Sequence, residues 1–296
     1  MKFVIPDSNS TRGANFFLLK TIRSFPEWFY DGVEIEAAYG ALHSCAFDGG
    51  RLTKDIPLDS SEIDALLKDY NSFGVQYRFV FTNLILKEEN LLDAWGNLQL
   101  EKSKEYNVGV IAASDKLINY IKTKYPKIDI VSSVTKKIFT EEETKELLKD
   151  DTYKYVVINT IYNKKLSQMI EKSLRPKCEI LINDCCPPRC PYHQECYLNN
   201  SKLALGIEPS FRGCKNTKRN NFQASNLLEA RKFMFSLGEQ LTREEVEKLS
   251  NDGFGIFKIE GRYRDPLLVL SWYMDYMVKH EKKEDFLYSY LTTRRP

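Results

Sequence analysis

The sequence predicts an α/β fold of the TIM-barrel kind, a (β/α)8 barrel carrying a cysteine-rich insertion on its C-terminal face. Three observations predict it. Short β-rich runs alternate with longer segments of helical period along the chain, the order that builds a parallel sheet with right-handed crossovers. Eight such runs occur, the number that closes a barrel. Cysteines crowd at the carboxyl end of one run, where α/β proteins place ligands and chemistry. A ninth β-rich piece, Phe233 to Leu237, keeps an open doubly wound sheet as the alternative.

In order, the runs are Phe3 to Ile5, Val33 to Tyr39, Val75 to Phe81, Val108 to Ala113, Ile128 to Ser132, Tyr155 to Asn159, Cys178 to Asp184 and Gly255 to Glu260. Each is short, rich in apolar residues, and bounded by turn-forming or polar residues, as buried strands are. Helices are expected between them. Ile63, Leu66, Leu67 and Tyr70 recur at helical spacing after a Ser60/Ser61 cap, and Leu117, Ile118, Ile121 and Tyr125 do so after Ser114. Thr242, with Glu245 three residues on, reads as a capping box before a helix that passes through Gly253 into the last run.

The chain has 296 residues, enough for one barrel, and neither a linker nor an internal repeat divides it. One domain, 1–296, with residues 185–226 as an insertion, is the expectation. Lys+Arg 43 against Asp+Glu 41 gives a net charge of +2, so the overall balance demands neither nucleic acid nor a membrane surface. No apolar run approaches the roughly 18 residues of a membrane span, and the amino terminus lacks the basic start and apolar core of a secretory signal. A soluble, cytoplasmic protein in a reducing compartment is expected.

Six of the seven cysteines lie between Cys178 and Cys214. Cys186, Cys190, Cys196 and Cys214 are separated by three, five and seventeen residues, close enough to converge on one centre. A disulfide framework suits short secreted chains in oxidising compartments. Structural zinc prefers two tight pairs, and only Cys186/Cys190 makes one. An iron-sulfur cluster tolerates more irregular spacing. Spacing leaves all three open. Cys178, inside a strand, reads as a small buried hydrophobe, and Cys185 as another extra. The polar segment after Cys190 has little apolar content, so a bound metal is expected to order Cys185 to Asn226, and its loss to disorder them while sparing the barrel.

A second motif lies in the last strand. Lys258, Glu260 and Arg262 alternate with Phe257, Ile259 and Gly261, so the three charges share a strand face. Pointing into the barrel mouth, they would act on substrate or its anionic groups, Arg262 as the best anion clamp. The alternative is a solvent-facing row. Arg212, Lys215, Lys218 and Arg219, with Phe211 and Phe222, form a basic patch able to hold phosphate or RNA, though a solvated loop face explains it as well. The three histidines, His43, His193 and His280, belong to neither an HExxH helix nor a GxSxG elbow, so no hydrolase motif is visible. His193 is a candidate cluster neighbour or proton donor, with a plain surface histidine as the favoured alternative, and Cys45 beside His43 is a candidate thiol nucleophile only where the fold brings both inward.

Several of these strings resemble one family. FKIEGR, preceded by a helix and a Gly-containing turn and followed by a helix with Tyr273 and Tyr276, resembles the barrel's carboxyl end in the collagenase-like peptidase family of unknown catalytic type (U-thirty-two). LINDCCPPRCP, CYLNN with Cys196 and FRGC with Cys214 resemble the cysteine motifs of its iron-sulfur members. AAYGALHSCAFDGGR, from Ala37 to Arg51, resembles the first strand-loop unit of small members. The resemblance implies a TIM-barrel-like fold with a 4Fe-4S cluster held by Cys186, Cys190, Cys196 and Cys214, zinc being the weaker alternative. Such members place a fourth cysteine well downstream, whereas none follows Cys214 here, so Cys186 is the substitute and Cys45 its rival. The family includes oxygen-independent hydroxylation factors alongside proteins described as collagenase-like peptidases. The implied function is therefore oxygen-independent hydroxylation or a related redox modification, of RNA or a small molecule, with a homologous barrel or an electron donor as partner. An accessory iron-sulfur subunit of a two-protein complex and a peptidase are the alternatives.

Overall fold

The computed structural model describes all residues except 50–56, 137–139, 188–189, 216–225, 227–228, 230–231, 234–235, 237, 263 and 294–296. Eight parallel strands close a barrel in chain order: β1 (Lys2–Pro6), β2 (Glu34–Gly40), β3 (Gln76–Phe81), β4 (Val108–Ala112), β5 (Asp129–Ser132), β6 (Tyr155–Ile158), β7 (Cys178–Leu181) and β8 (Ile256–Lys258), with β8 pairing back onto β1. All eight expected runs become strands. The last two end earlier than the sequence suggested. Ile182 N–H still bonds the Lys258 carbonyl at 3.0 Å, but beyond it the side chain of Asn183 takes over the pairing.

The ninth β-rich piece does not join the sheet. Its described residues Phe233 and Ser236 are helical, with the Ser236 hydroxyl donating to the Phe233 carbonyl at 2.7 Å. A closed barrel has no free edge for another strand to extend, which removes the open-sheet alternative.

Helices α1 (Asn9–Ser24), α2 (Ser60–Ser72), α3 (Ala94–Glu101), α4 (Asp115–Lys124), α5 (Glu141–Lys149) and the single-turn α6 (Leu166–Met169) lie between successive strands from β1 to β7. The β7–β8 connection holds α7 (His193–Ala204) and α8 (Arg243–Asn251), and β8 is followed by α9 (Pro266–Tyr276) and α10 (Lys283–Thr293). Ser114 and Thr242 cap their helices as expected. At α2 the cap is Asp59 instead of Ser60 or Ser61: its carboxylate accepts from Glu62 N at 2.9 Å, and Glu62 reciprocates at 2.8 Å. A carboxylate is the stronger acceptor and also favours the positive end of the helix dipole.

The period of two sorts each strand between two cores. Phe3, Tyr77, Phe79, Val110, Ile130, Val156, Ile180 and Phe257 point outward into the layer under the helices. Val4, Ala37, Tyr39, Val80, Ile111, Val131, Val157 and Ile256 fill the barrel itself. Each such fully buried side chain contributes about 1.5–3 kcal/mol relative to exposure. The inner core draws on every strand but β7, which instead points Glu179 inward, fully buried.

Within the cysteine segment, α7 is tied to the barrel by hydrogen bonds. Asn83, just past β3, donates from one amide to the carbonyls of Ala46 (2.8 Å), Asp48 (3.0 Å) and Ser201 (3.2 Å), joining the first strand-loop unit to α7. Leu84 N–H bonds the Ser201 hydroxyl at 3.1 Å. Buried polar groups, Asn199 and Ser201 among them, thus replace the apolar face that α7 lacks. These contacts join α7 to the barrel through groups other than thiols. Close approach does the same work at Gly49, where a Cβ would lie 2.3 Å from the Thr82 carbonyl oxygen.

Candidate functional site

A cavity of about 340 Å³ opens at the carboxyl ends of the strands. Tyr39, Val80, Ile111, Val157, Leu181 and Lys258 form its strand-borne floor; Asp184, Cys186, Cys190, His193, Glu260 and Arg262 stand on the loops above. Lys258, Glu260 and Arg262 therefore face one space, although only Lys258 is still in β8. The solvent-facing alternative for the row is excluded at Lys258, which is 7% exposed.

Lys258 is held from below. Its Nζ lies 2.8 Å from Glu179 Oε1, while Glu179 Oε2 receives Arg78 at 2.6 Å. Arg78 continues to Glu36 at 3.7 Å, which also takes Lys2 at 3.0 Å and the Tyr155 hydroxyl at 2.8 Å. A line of alternating charge thus runs through the barrel to the cavity floor. Burial opposes ionisation of Glu179, but Lys258 and Arg78 outweigh it and hold its carboxyl below the ordinary range. For Lys258 the balance falls the other way: burial, with Arg78 and Arg262 nearby, lowers its amine against the pull of Glu179. The Lys258 Nζ also sits 4.2 Å from the Tyr39 ring centroid, and the Arg262 guanidinium lies 5.5 Å from that ring.

The Ile-Asn-Asp string before the cysteines is a clamp. The Asn183 side chain donates to the Glu260 carbonyl at 2.9 Å and accepts from Glu260 N–H at 2.6 Å, substituting for a ladder pair past the strand ends. Glu260 Oε2 accepts from Cys185 N–H at 3.0 Å, and Asp184 accepts from Cys186 N–H at 2.9 Å and from the Thr160 hydroxyl at 2.9 Å. These bonds fix where the thiol loop departs. Tyr276 of α9 adds a bond to the Leu241 carbonyl at 2.8 Å, and Tyr273 one to Asn15 at 2.6 Å, so both tyrosines brace the scaffold. Asn183→Ala is expected to strip both main-chain partners from Glu260 and to cost about 2–4 kcal/mol, two unsatisfied groups' worth. Urea unfolding of the two proteins checks this; a loss under half a kcal/mol would mean water replaces the amide.

The seven thiols sort by burial, and none is in a disulfide. Cys45, Cys178 and Cys185 are buried; Cys186, Cys190, Cys196 and Cys214 are half-buried. Cys178 and Cys185 donate to the Leu174 and Asn183 carbonyls, and burial pushes the Cys178 thiol up to about 12. Burial, with Asp48 and Asp93 beside it, raises Cys45 well above the usual thiol range. Its Sγ points at Asp48 Oδ1, 3.8 Å away, so its polar neighbours are carboxylates. Asp48 itself is pushed up to about 7 by burial. Cys196 is raised first by burial and then by Cys214 and Cys190 as like charges, which puts these three thiols in one neighbourhood; Cys186 and Cys190 share the cavity wall. Among the described residues, no three His, Cys, Asp or Glu side chains are grouped so that they could hold a metal ion.

The histidines show no hydrolytic pairing in their packing. His43 stacks on Trp95, with centroids 3.6 Å apart, and its Nδ1 lies 2.9 Å from the Ser44 carbonyl, so the Cys45/His43 proximity in sequence is not a dyad. His193 packs edge-on to Tyr197, and burial lowers its basicity. In the basic patch, Arg212 pairs with Glu208 at 3.2 Å, while Lys215 pairs with Glu195 and covers the Phe211 ring; Lys218, Arg219 and Phe222 lie outside the described residues, as does Arg51. Sequence reasoning missed Arg78 and Glu179. The signal was present: a charge in each of two short apolar strands, QYRFVF and CEIL, whose period of two aims it inward.

Comparison with known proteins gives two findings. The sequence model of peptidase family U32 matches residues 36–285. A solved structure described as that of "the U32 Peptidase Mk0906" superposes with a TM-score of 0.50 at 16% sequence identity, covering 89% of this chain and 93% of that one, a likeness of fold. No curated protein matches the chain. No helix among the described residues is long and apolar enough to cross a membrane.

Proposed function

We propose, from the premise that this chain belongs to peptidase family U32, that its barrel-mouth cavity carries out an oxygen-independent hydroxylation or a related redox modification beside a 4Fe-4S cluster. What supports the reading is the sorting of the thiols: the four half-buried cysteines are one set, Cys186, Cys190, Cys196 and Cys214, and two of them share the cavity wall with Lys258, Glu260 and Arg262. The residues fit the cluster in donor type, and Cys190, Cys196 and Cys214 lie near one another. Thiolates crowded together repel one another, and a metal relieves this by holding them deprotonated. When bound, such a cluster supplies single-electron chemistry at the cavity.

The chain's own residues do the rest. Arg262, beside Lys258, holds an anionic part of the substrate, and the apolar floor of Val80, Ile111 and Val157 excludes water from its body. Glu260 keeps the thiol loop in register through Cys185 N–H. His193, neutral near pH 7, takes a proton from the reacting group. Inserting oxygen from water withdraws an electron pair and two protons from the substrate, so an electron acceptor, carried by a homologous barrel or another partner, belongs to this reading. RNA and small molecules are the substrate classes, and seven thiols outside disulfides suit a reducing, cytoplasmic setting.

Incubating anaerobically prepared protein with bulk RNA, with small-molecule extracts and with denatured collagen tests the proposal by mass spectrometry. Gain of one oxygen atom on RNA or a small molecule is the expected result. Collagen fragments without any such gain would replace it with a peptidase. A homologous barrel copurifying with a chain inactive in every arm would make this protein the accessory subunit.

A further inference from the structure

We propose that Lys258 forms an imine: from the floor of the mouth cavity its ε-amine condenses with the carbonyl carbon of a small aldehyde or ketone that also carries an anionic group. This rests on reading the cavity as the substrate site and is independent of what the thiols hold. The step balances without a redox partner. The amine adds to the carbonyl carbon to form a C–N bond, and the resulting carbinolamine loses its hydroxyl as water.

An imine-forming lysine must lie at a cavity, be available as the neutral amine, and have an acceptor for its proton. Lys258 is 7% exposed yet lines the 340 Å³ cavity, so a ligand there meets it and bulk water barely does. Glu179, 2.8 Å behind it, orients the amine, and solvent at the open mouth of the cavity takes the proton. The arrangement of the other charges is what separates this lysine from a plain ion-pair partner. Arg78 remains 2.6 Å from the second oxygen of Glu179, so the buried carboxylate keeps a counter-charge when Lys258 gives up its proton. Arg78 and Arg262 both disfavour the ammonium form, as burial does, and the amine is lowered in spite of Glu179. Adjacent cations and desolvation are the two ordinary ways of activating a lysine nucleophile. The further charged or titratable groups on the cavity wall are Glu260, Asp184, His193, Cys186, Cys190, Tyr39 and Tyr197.

The same wall sets the ligand class. Arg262 lies within 5.5 Å of the Tyr39 ring that Lys258 also covers, which puts an anion-binding fork beside the amine. Val80, Ile111, Val157 and Leu181 leave an apolar floor. A short carbonyl compound with a carboxylate or phosphate fits both; an uncharged sugar fits neither.

The test is reductive trapping on the full chain. Pyridoxal 5′-phosphate and glyoxylate serve as separate probes at limiting concentration, followed by borohydride, digestion and mass spectrometry. The expected result is a reduced adduct on Lys258 ahead of far more exposed lysines such as Lys87, whose side chain is 76% exposed. Labelling should rise with pH, and Arg262→Gln should reduce it roughly tenfold with either anionic probe. Modification that follows exposure and spares Lys258 would overturn the proposal on the wild-type protein, with no appeal to a variant's folding. Running the trap on iron-loaded and iron-free protein separates the two readings: a Lys258 adduct in a chain that never binds iron or sulfide removes the cluster and keeps the imine.

Discussion

Protein prepared anaerobically with iron and sulfide is expected to contain about four irons and four sulfides per chain, and changing any one of Cys186, Cys190, Cys196 or Cys214 to Ala should remove most of both. Cys45→Ala, Cys178→Ala and Cys185→Ala should keep them. The division follows from burial and partners. A buried thiol ligates only after losing its proton, and the Cys45 and Cys178 thiols are raised far from that by burial; Cys45 also faces a carboxylate, the wrong neighbour for a thiolate. Cys196, by contrast, already has Cys214 and Cys190 as electrostatic neighbours. A stoichiometric zinc without sulfide would end the iron-sulfur assignment. Retention in Cys196→Ala with loss in Cys45→Ala would move a ligand to the first strand-loop unit and show that Cys45 leaves its buried position. Far-UV circular dichroism of the metal-free variants should retain α7, because Asn83 and Leu84 anchor it through hydrogen bonds that involve no thiol.

How far the sequence could be read depended on whether a signal was local. The eight strands were legible because every one is a short apolar run, and the barrel followed from their number. The caps at Ser114 and Thr242 were legible for the same reason, whereas Asp59 was passed over for its serine neighbours although it offers the stronger acceptor. Long-range pairing was not legible. Asn83 reaches α7 across 118 positions and Glu179 reaches Arg78 across 101, and no periodicity encodes such contacts. The Asn-Asp pair before the cysteines looked like the end of a strand, yet Asn183 is the residue that continues the β7–β8 pairing by side chain. Of the charged row, the alternation told which face the residues share; it could not tell that β8 stops at Lys258 or that a carboxylate waits beneath it.

The second large effect is expected at Glu179. Replacing it by Gln preserves shape but leaves Arg78 and Lys258 buried without their shared counter-charge, and breaking a buried pair this way costs about 3–5 kcal/mol. For a chain of this size that corresponds to a fall in Tm of about 5–8 °C. Lys258→Met is expected to cost under about 2 kcal/mol, since Arg78 still balances Glu179 and an apolar side chain suits the buried stem. The order of the two losses is the diagnostic quantity: Glu179 serves two cations, each cation serves one end of it. The pH dependence carries a further sign. The Glu179 carboxyl is lowered in the fold, so its contribution is complete above the unfolded value of about 4.3 and disappears as pH falls through the folded one. The gap between wild type and Glu179→Gln should therefore close in acid. Lys258 gives a slope of the same sign at the other end of the scale. Its amine is lowered in the fold, so the unfolded chain binds that proton more tightly and stability gains with rising pH until the unfolded value of about 10.4 is passed. Urea midpoints across pH for wild type, Glu179→Gln and Lys258→Met measure both slopes. Equal losses in the two variants at neutral pH would mean that the interior charges act as separate pairs and that Glu179 is not the residue around which they are arranged.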